Sequence, residues 1–200
     1  MGLPHRESRR KVSYTEAFRR LIRPLARVLS AMRIRPDSLT ATGWALSVGA
    51  AFLFALSYTK TAGAVMLFAG LFDALDGAVA RESNRMSSFG AFLDSTLDRL
   101  SESVIFVGVI FFYAASGRPY ETLLAGVAMT FSLMTSYTRA RAEGLDLECE
   151  VGLLERAGRV LILSLFALSG FLTWGLGFVA AGAFVTTAQR FLHVRRVTKT

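Results

Sequence analysis

Four aspartates set in apolar surroundings constrain this chain more than any other feature. The stretch from Asp73 to Asp98 reads DALDGAVARESNRMSSFGAFLDSTLD. Asp73 and Asp76 stand at i,i+3 and Asp94 and Asp98 at i,i+4, so each pair occupies one face of a helix. The apolar run from Ala62 to Phe72 precedes them and Val104 to Ala115 follows, so both helices read as membrane-spanning. One aspartate at the middle of such a helix costs roughly 2.5–3.5 kcal/mol, and four cost on the order of 10 kcal/mol. Nothing structural repays that. A polar cavity filled by metal ions does.

The charges themselves ask for cations. Two carboxylates about 4 Å apart repel by roughly 4 kcal/mol at an effective dielectric of 20. Divalent ions relieve this, and an all-carboxylate oxygen site suits Mg²⁺, Mn²⁺ or Ca²⁺ rather than Zn²⁺. A pair of ions, its shell completed by phosphate oxygens and water, is the natural reading. The sole cysteine, Cys149, excludes an internal disulfide and a Cys-based metal site. His5 and His193 lie near the two ends and read as surface residues.

With 52% hydrophobic residues, the chain leaves little room for an ordinary soluble domain. Its net charge of +8 does not mark a nucleic-acid binder, because the basic residues are scattered. Ten of the 23 Lys and Arg residues precede Pro36, and the rest fall in alternating segments, with Arg99 the one basic residue expected well inside a span. That alternation follows the positive-inside rule and predicts both termini in the cytoplasm. The basic N-terminus lacks an apolar run directly after it and does not read as a signal peptide.

The expected fold is an all-α integral membrane protein, with six transmembrane helices preceded by an N-terminal amphipathic interfacial helix. From Ser13 to Met32, Phe18, Leu21, Ile22, Leu25, Val28 and Leu29 recur at helical spacing, and Arg19, Arg20, Arg23 and Arg27 take the other face. Pro24 predicts a kink in it. Six spans of about 20 residues follow at 39–58, 62–80, 89–115, 121–142, 154–173 and 175–194, with a turn at 174–177. Short loops predict that consecutive helices are antiparallel neighbours. Residues 1–35 form the cytoplasmic N-terminus and residues 36–200 one transmembrane domain. Arg81 and Arg85 place the loop between the aspartate pairs on the cytosolic side, so the cluster opens to the cytosol, about 8–10 Å inside the membrane.

Small residues and one arginine complete this reading. Gly77 and Ala80 lie on the Asp73/Asp76 face and Gly90 one turn before Asp94, leaving room for a nucleotide across both helices. Close helix packing by small residues explains the same spacing. Arg81 is placed to neutralise a pyrophosphate by charge-assisted bonds.

The pattern Asp73-x2-Asp76-Gly77-x2-Ala80-Arg81-x8-Gly90-x3-Asp94-x3-Asp98 resembles the motif of the CDP-alcohol phosphotransferases, membrane enzymes of phospholipid synthesis. The resemblance implies Asp73, Asp76 and Asp94 as the main ligands of two divalent cations, Mg or Mn. It gives Asp98 a share in metal binding and a catalytic role as the base for the acceptor hydroxyl. Ser88, Pro36 and Thr40 resemble positions lining the cytidine pocket, although the family carries Asn where this chain has Asp37. A homodimer in the cell membrane is also implied.

The acceptor is read from a second resemblance. Ser136 to Glu143 and Gly152 to Arg156 look like the branch that makes phosphatidylinositol phosphate from CDP-diacylglycerol and inositol phosphate. That branch carries Lys in place of Arg139 and Pro in place of Ala157. By position, Arg139, Arg156 and Arg190 would hold the acceptor phosphate, which a neutral alcohol would not require. Glycerol-3-phosphate as acceptor, an archaeal CDP-lipid as donor, or CDP-inositol with inositol phosphate would fit the same site. A cation transporter is the alternative of a different class. Arg81 beside the carboxylates argues against it, since a cation path gains nothing from an arginine there.

Overall fold

The structure, a computed structural model, describes residues 22–83 and 87–199. The described residues are helical, without strands. Helix α1 covers 22–31, followed by α2 (Pro36–Ala55), α3 (Thr59–Glu82), α4 (Ser88–Ala115), α5 (Pro119–Glu143), α6 (Arg156–Ser169) and α7 (Leu172–Val197). Pro36 and Pro119 open α2 and α5 at the first turn, where the missing N–H costs no hydrogen bond. Among the described residues, α2 and α3 are long and apolar enough by themselves to cross a membrane. Helix α4 is longer but carries Asp94, Asp98, Arg99 and Glu102.

Helix α2 packs on both α3 and α4, α5 on α7 and on α4, and α6 on α3 and α7. Gly108 of α4 permits the closest approach, since a Cβ there would lie 2.3 Å from the Ala51 carbonyl oxygen of α2. The short-loop expectation fails for two pairs: α3 and α4, and α5 and α6, are consecutive without close packing. For α3 and α4 the reason is chemical, because the faces they turn inward carry the carboxylates. One apolar cluster, with Phe54, Phe106 and Leu163, lies beyond the aspartates. A second, with Ile22, Leu39 and Val79, lies on their other side.

The expected turn at 174–177 is corrected. Helix α6 ends at Gly170, whose φ of 82° is left-handed, and α7 begins at Leu172. A glycine just past the last turn is the favoured stop in that conformation. The fifth expected span, α6, therefore has 14 helical residues rather than the 20 expected over 154–173.

Of the amphipathic helix, Phe18, Leu21, Arg19 and Arg20 lie outside the described residues, as do His5 and Arg85. In α1, Ile22 and Ala26 are buried against α3, whereas Leu25 and Val28 are exposed. Arg27 Nε bonds Glu82 at 2.9 Å and Arg23 Nε lies 3.5 Å from it, so α1 is tied to the end of α3. The Arg27 hydrogen bond, ahead of the Arg23 charge, holds the Glu82 carboxyl below the usual carboxylate range.

Candidate active site

The two aspartate pairs meet across the gap between α3 and α4, and the first residue of α6 stands between them. Arg156 Nη2 lies 2.7 Å from Asp73 Oδ2, and Nη1 lies 2.7 Å from Asp98 Oδ1. Asp94 lies near enough to Arg156 and Asp73 to feel both charges. Asp76 is buried; its Oδ1 accepts from the Gly77 amide and its Oδ2 has no hydrogen-bond partner. The Thr40 hydroxyl donates to the Pro36 carbonyl at 3.2 Å and sits beside the Asp76 carboxylate.

The starts of α2 and α4 come together above this cluster. Ser87 caps α4 by accepting from the Gly90 amide at 2.9 Å. A Cβ at Gly90 would lie 3.0 Å from Ser87 Oγ and 3.6 Å from Asp37 Oδ1, so Asp37 of α2 faces the first turn of α4. Ser88 is exposed beside them. The Arg81 guanidinium folds back over Gly77, 3.4 Å from the place of a Cβ there, and Ala80 is partly buried on the same helix.

The three arginines expected at the acceptor are engaged separately. Arg139 Nε pairs with Glu143 at 2.7 Å on the exposed end of α5. Arg190, 3% exposed, gives Nε to the Val151 carbonyl at 2.9 Å and Nη1 to the Thr135 carbonyl at 2.5 Å. Arg156 alone reaches the aspartates. The non-helical segment 148–154 is gripped by one face of α7: Thr186 and Gln189 accept from the Leu154 and Leu153 amides at 2.9 Å. His193, expected as a surface residue, bonds the Glu148 carbonyl at 3.0 Å.

The profile of the CDP-alcohol phosphatidyltransferases matches residues 33–194. The chain belongs to this family. It is 38% identical over 188 residues to the archaetidylinositol phosphate synthase of Methanothermobacter thermautotrophicus, covering 90% of this chain and 92% of that one. It is 32% identical over 202 residues to the phosphatidylinositol phosphate synthase of Cutibacterium acnes, covering 92% and 96%. The crystal structure of Mycobacterium tuberculosis phosphatidylinositol phosphate synthase with CDP-DAG bound superposes with a TM-score of 0.78 at 33% identity, covering 88% of this chain and 94% of that one. The same enzyme in complex with manganese and citrate also gives 0.78 at 33%, covering 86% and 87%.

The donor set of this phosphatidyltransferase fits a divalent cation. It is all carboxylate oxygen, and the Oδ2 of buried Asp76, without a hydrogen-bond partner, is an oxygen that a cation would satisfy. Among the described residues, no three acidic, His or Cys side chains converge as a finished ion cage. Arg156 holds Asp73 and Asp98 by one contact each.

Three functional candidates of the phosphatidyltransferase escaped the sequence reading. Glu102 and Arg159 form a buried ion pair behind the aspartates, with Nε–Oε1 at 2.6 Å and Nη2–Oε2 at 2.8 Å. Their signal was present: Glu102 lies four residues after Asp98, and Arg159 three after Arg156, in apolar helices. Gly43 is the third. A Cβ there would lie 2.7 Å from Asp73 Oδ1 and 3.3 Å from Phe72 Cβ, so the glycine makes room for the carboxylate. Gly43→Ala is expected to lower the rate of CMP release roughly tenfold or more, since a misplacement of about 1 Å near the chemistry costs up to ~10²-fold. Steady-state kinetics with unchanged thermal stability checks it; a wild-type rate refutes it.

Proposed function

We propose that this chain is a membrane-embedded transferase that moves a phosphatidyl group from CDP-diacylglycerol, or an archaeal CDP-lipid, to a hydroxyl of inositol phosphate. The acceptor oxygen attacks the β-phosphorus, the bond to the bridging oxygen breaks, and CMP leaves. Asp98 takes the proton of the attacking hydroxyl. Arg81 neutralises the pyrophosphate, while Gly77, Ala80, Ser88, Gly90, Pro36 and Thr40 line the nucleotide's path. Asp73, Asp76, Asp94 and Asp98 would hold two divalent cations, magnesium or manganese, which supply charge stabilisation on the pyrophosphate and leaving group.

The observation that carries this reading is Arg156. It sets a cation for an acceptor phosphate at a helix N-terminus, itself favourable to anions, directly against Asp98. Arg139, paired with Glu143, and Arg190, bonded to two carbonyls, are the further acceptor contacts this reading calls for, and would have to exchange those partners for the phosphate. The relatives named as inositol phosphate lipid synthases support the same acceptor.

Six spans, α2 to α7, cross the bilayer as one domain of 36–200, with α1 on the cytosolic surface and both termini in the cytoplasm. Phe52, Phe68, Phe111, Leu123, Leu165 and Phe184, one from each helix, are exposed. So much outward apolar surface suits lipid and not water. Gly126 on α5 has open space before it and allows the close approach of a second copy in a homodimer.

The test is a CMP-release screen on purified protein. CDP-diacylglycerol and its ether-lipid counterpart are offered with inositol phosphate, inositol, glycerol-3-phosphate or serine. Inositol phosphate is expected to be the preferred acceptor, and a preference for any other overturns the assignment. Arg156→Ala is expected to raise its KM roughly tenfold or more, the factor implied by losing one charge-assisted phosphate contact. The KM for the CDP-lipid should barely move.

A further inference from the structure

Arg156 is the first residue of α6, where no side-chain cap from Glu155 orders the helix end. What fixes it lies one turn further on. Arg159 is 2% exposed and bonds both oxygens of Glu102, itself 6% exposed. Its Nη1 also reaches the Leu154 carbonyl at 3.3 Å, so every nitrogen of the guanidinium is engaged inside the protein. Glu102 stands one turn beyond Asp98 on α4. Helices α4 and α6 are thus joined by two successive rungs, Asp98–Arg156 and Glu102–Arg159.

The rungs are not equivalent. Arg156 and Asp98 keep 22% and 19% of their side-chain surface exposed, and Arg156 divides its bonds between two aspartates. The inner rung is closed and bidentate. A small cavity lined in part by Glu102, Arg156 and Arg159, and otherwise largely by apolar side chains, lies beside the rungs. We propose that Glu102 and Arg159 are positioning residues: theirs is the permanent rung that fixes the rotation and register of α6, so that Arg156 meets both the aspartates and the acceptor phosphate. This rests on the reading of Arg156 given above.

Stability alone does not account for the pair. A buried ion pair can often be replaced by apolar residues of similar volume without loss, because desolvating two charges offsets their attraction. What apolar contacts lack is direction. A bidentate fork sets both distance and angle, whereas a slip of one turn would carry Arg156 about 5.4 Å along the helix axis. Helices that must hold one arginine against two carboxylates gain from a second, inflexible contact of the same kind.

The experiment uses the full chain in lipid nanodiscs. The double variant Glu102→Leu/Arg159→Met is expected to fold with nearly wild-type thermal stability, while its KM for inositol phosphate rises roughly tenfold, as for loss of one phosphate contact. Its KM for the CDP-lipid should not change. Arg159→Lys keeps the charge and loses the fork, so it is expected to raise the acceptor KM by less. Should the double variant fail to fold, Arg159→Lys alone decides: a wild-type acceptor KM refutes positioning. Equal rises in both KM values, in either variant, would also refute it, since a loosened bundle affects both substrates. Arg156→Ala separates the two ideas. If it raises the acceptor KM while the double variant does not, positioning fails and the acceptor reading stands. If it leaves the acceptor KM unchanged, the acceptor reading itself fails and takes the positioning role with it.

Discussion

Asp94→Asn is expected to abolish CMP release, and Asp73→Asn to do the same. Each removes one negative charge from the set proposed to hold the cations against the pyrophosphate. At an effective dielectric of 20, a unit charge about 4 Å away is worth roughly 4 kcal/mol, or about 10³-fold in rate. Asp94→Asn is the cleaner test, because Asp73 also holds Arg156. A manganese titration followed by electron paramagnetic resonance should show weakened binding beside the lost turnover. Full activity in either variant, or activity that survives excess chelator, would end the two-metal reading.

Asp98→Asn should separate a base from a ligand. Asparagine is the same shape and keeps an oxygen for Arg156 Nη1, now 2.7 Å from Asp98 Oδ1, so the rung should survive in weaker form. As a base, Asp98 can be lost with CDP-lipid affinity nearly intact while the rate falls by ~10²–10⁴. Measured by equilibrium binding of the CDP-lipid and single-turnover CMP release, an affinity loss equal to the rate loss would make Asp98 a structural metal ligand instead.

The aspartates were legible in the sequence because helical spacing and apolar flanks leave little freedom: i,i+3 and i,i+4 carboxylates share a face whatever else the chain does. Family membership was legible for the same reason. Less visible was everything that depends on a partner across a gap. Arg159 looks like a topology signal in the sequence and Arg190 like a contact for the acceptor phosphate, yet both are buried, one on Glu102 and the other on two carbonyls. Spacing along α6 shows that Arg156 and Arg159 share a face, and not that α4 meets it with Asp98 and Glu102 in step. The end of α6 was missed because Gly170 and the glycines at 175 and 177 compete as stops, and only backbone conformation separates them.

The shortness of α6 has a consequence for how the two substrates meet. Fourteen residues span about 21 Å, against a hydrocarbon core of about 30 Å. On the six-span reading, the chain before Arg156 descends through the missing third as non-helical backbone, which membranes tolerate where protein or water covers it. Thr186, Gln189, Arg190 and His193 of α7 provide that cover. Read so, the bundle would be notched on the side where α6 begins, with Arg156 at the floor of the notch. A water-soluble sugar phosphate would then sink to meet the lipid headgroup inside the notch, and the acyl chains would stay in the oil.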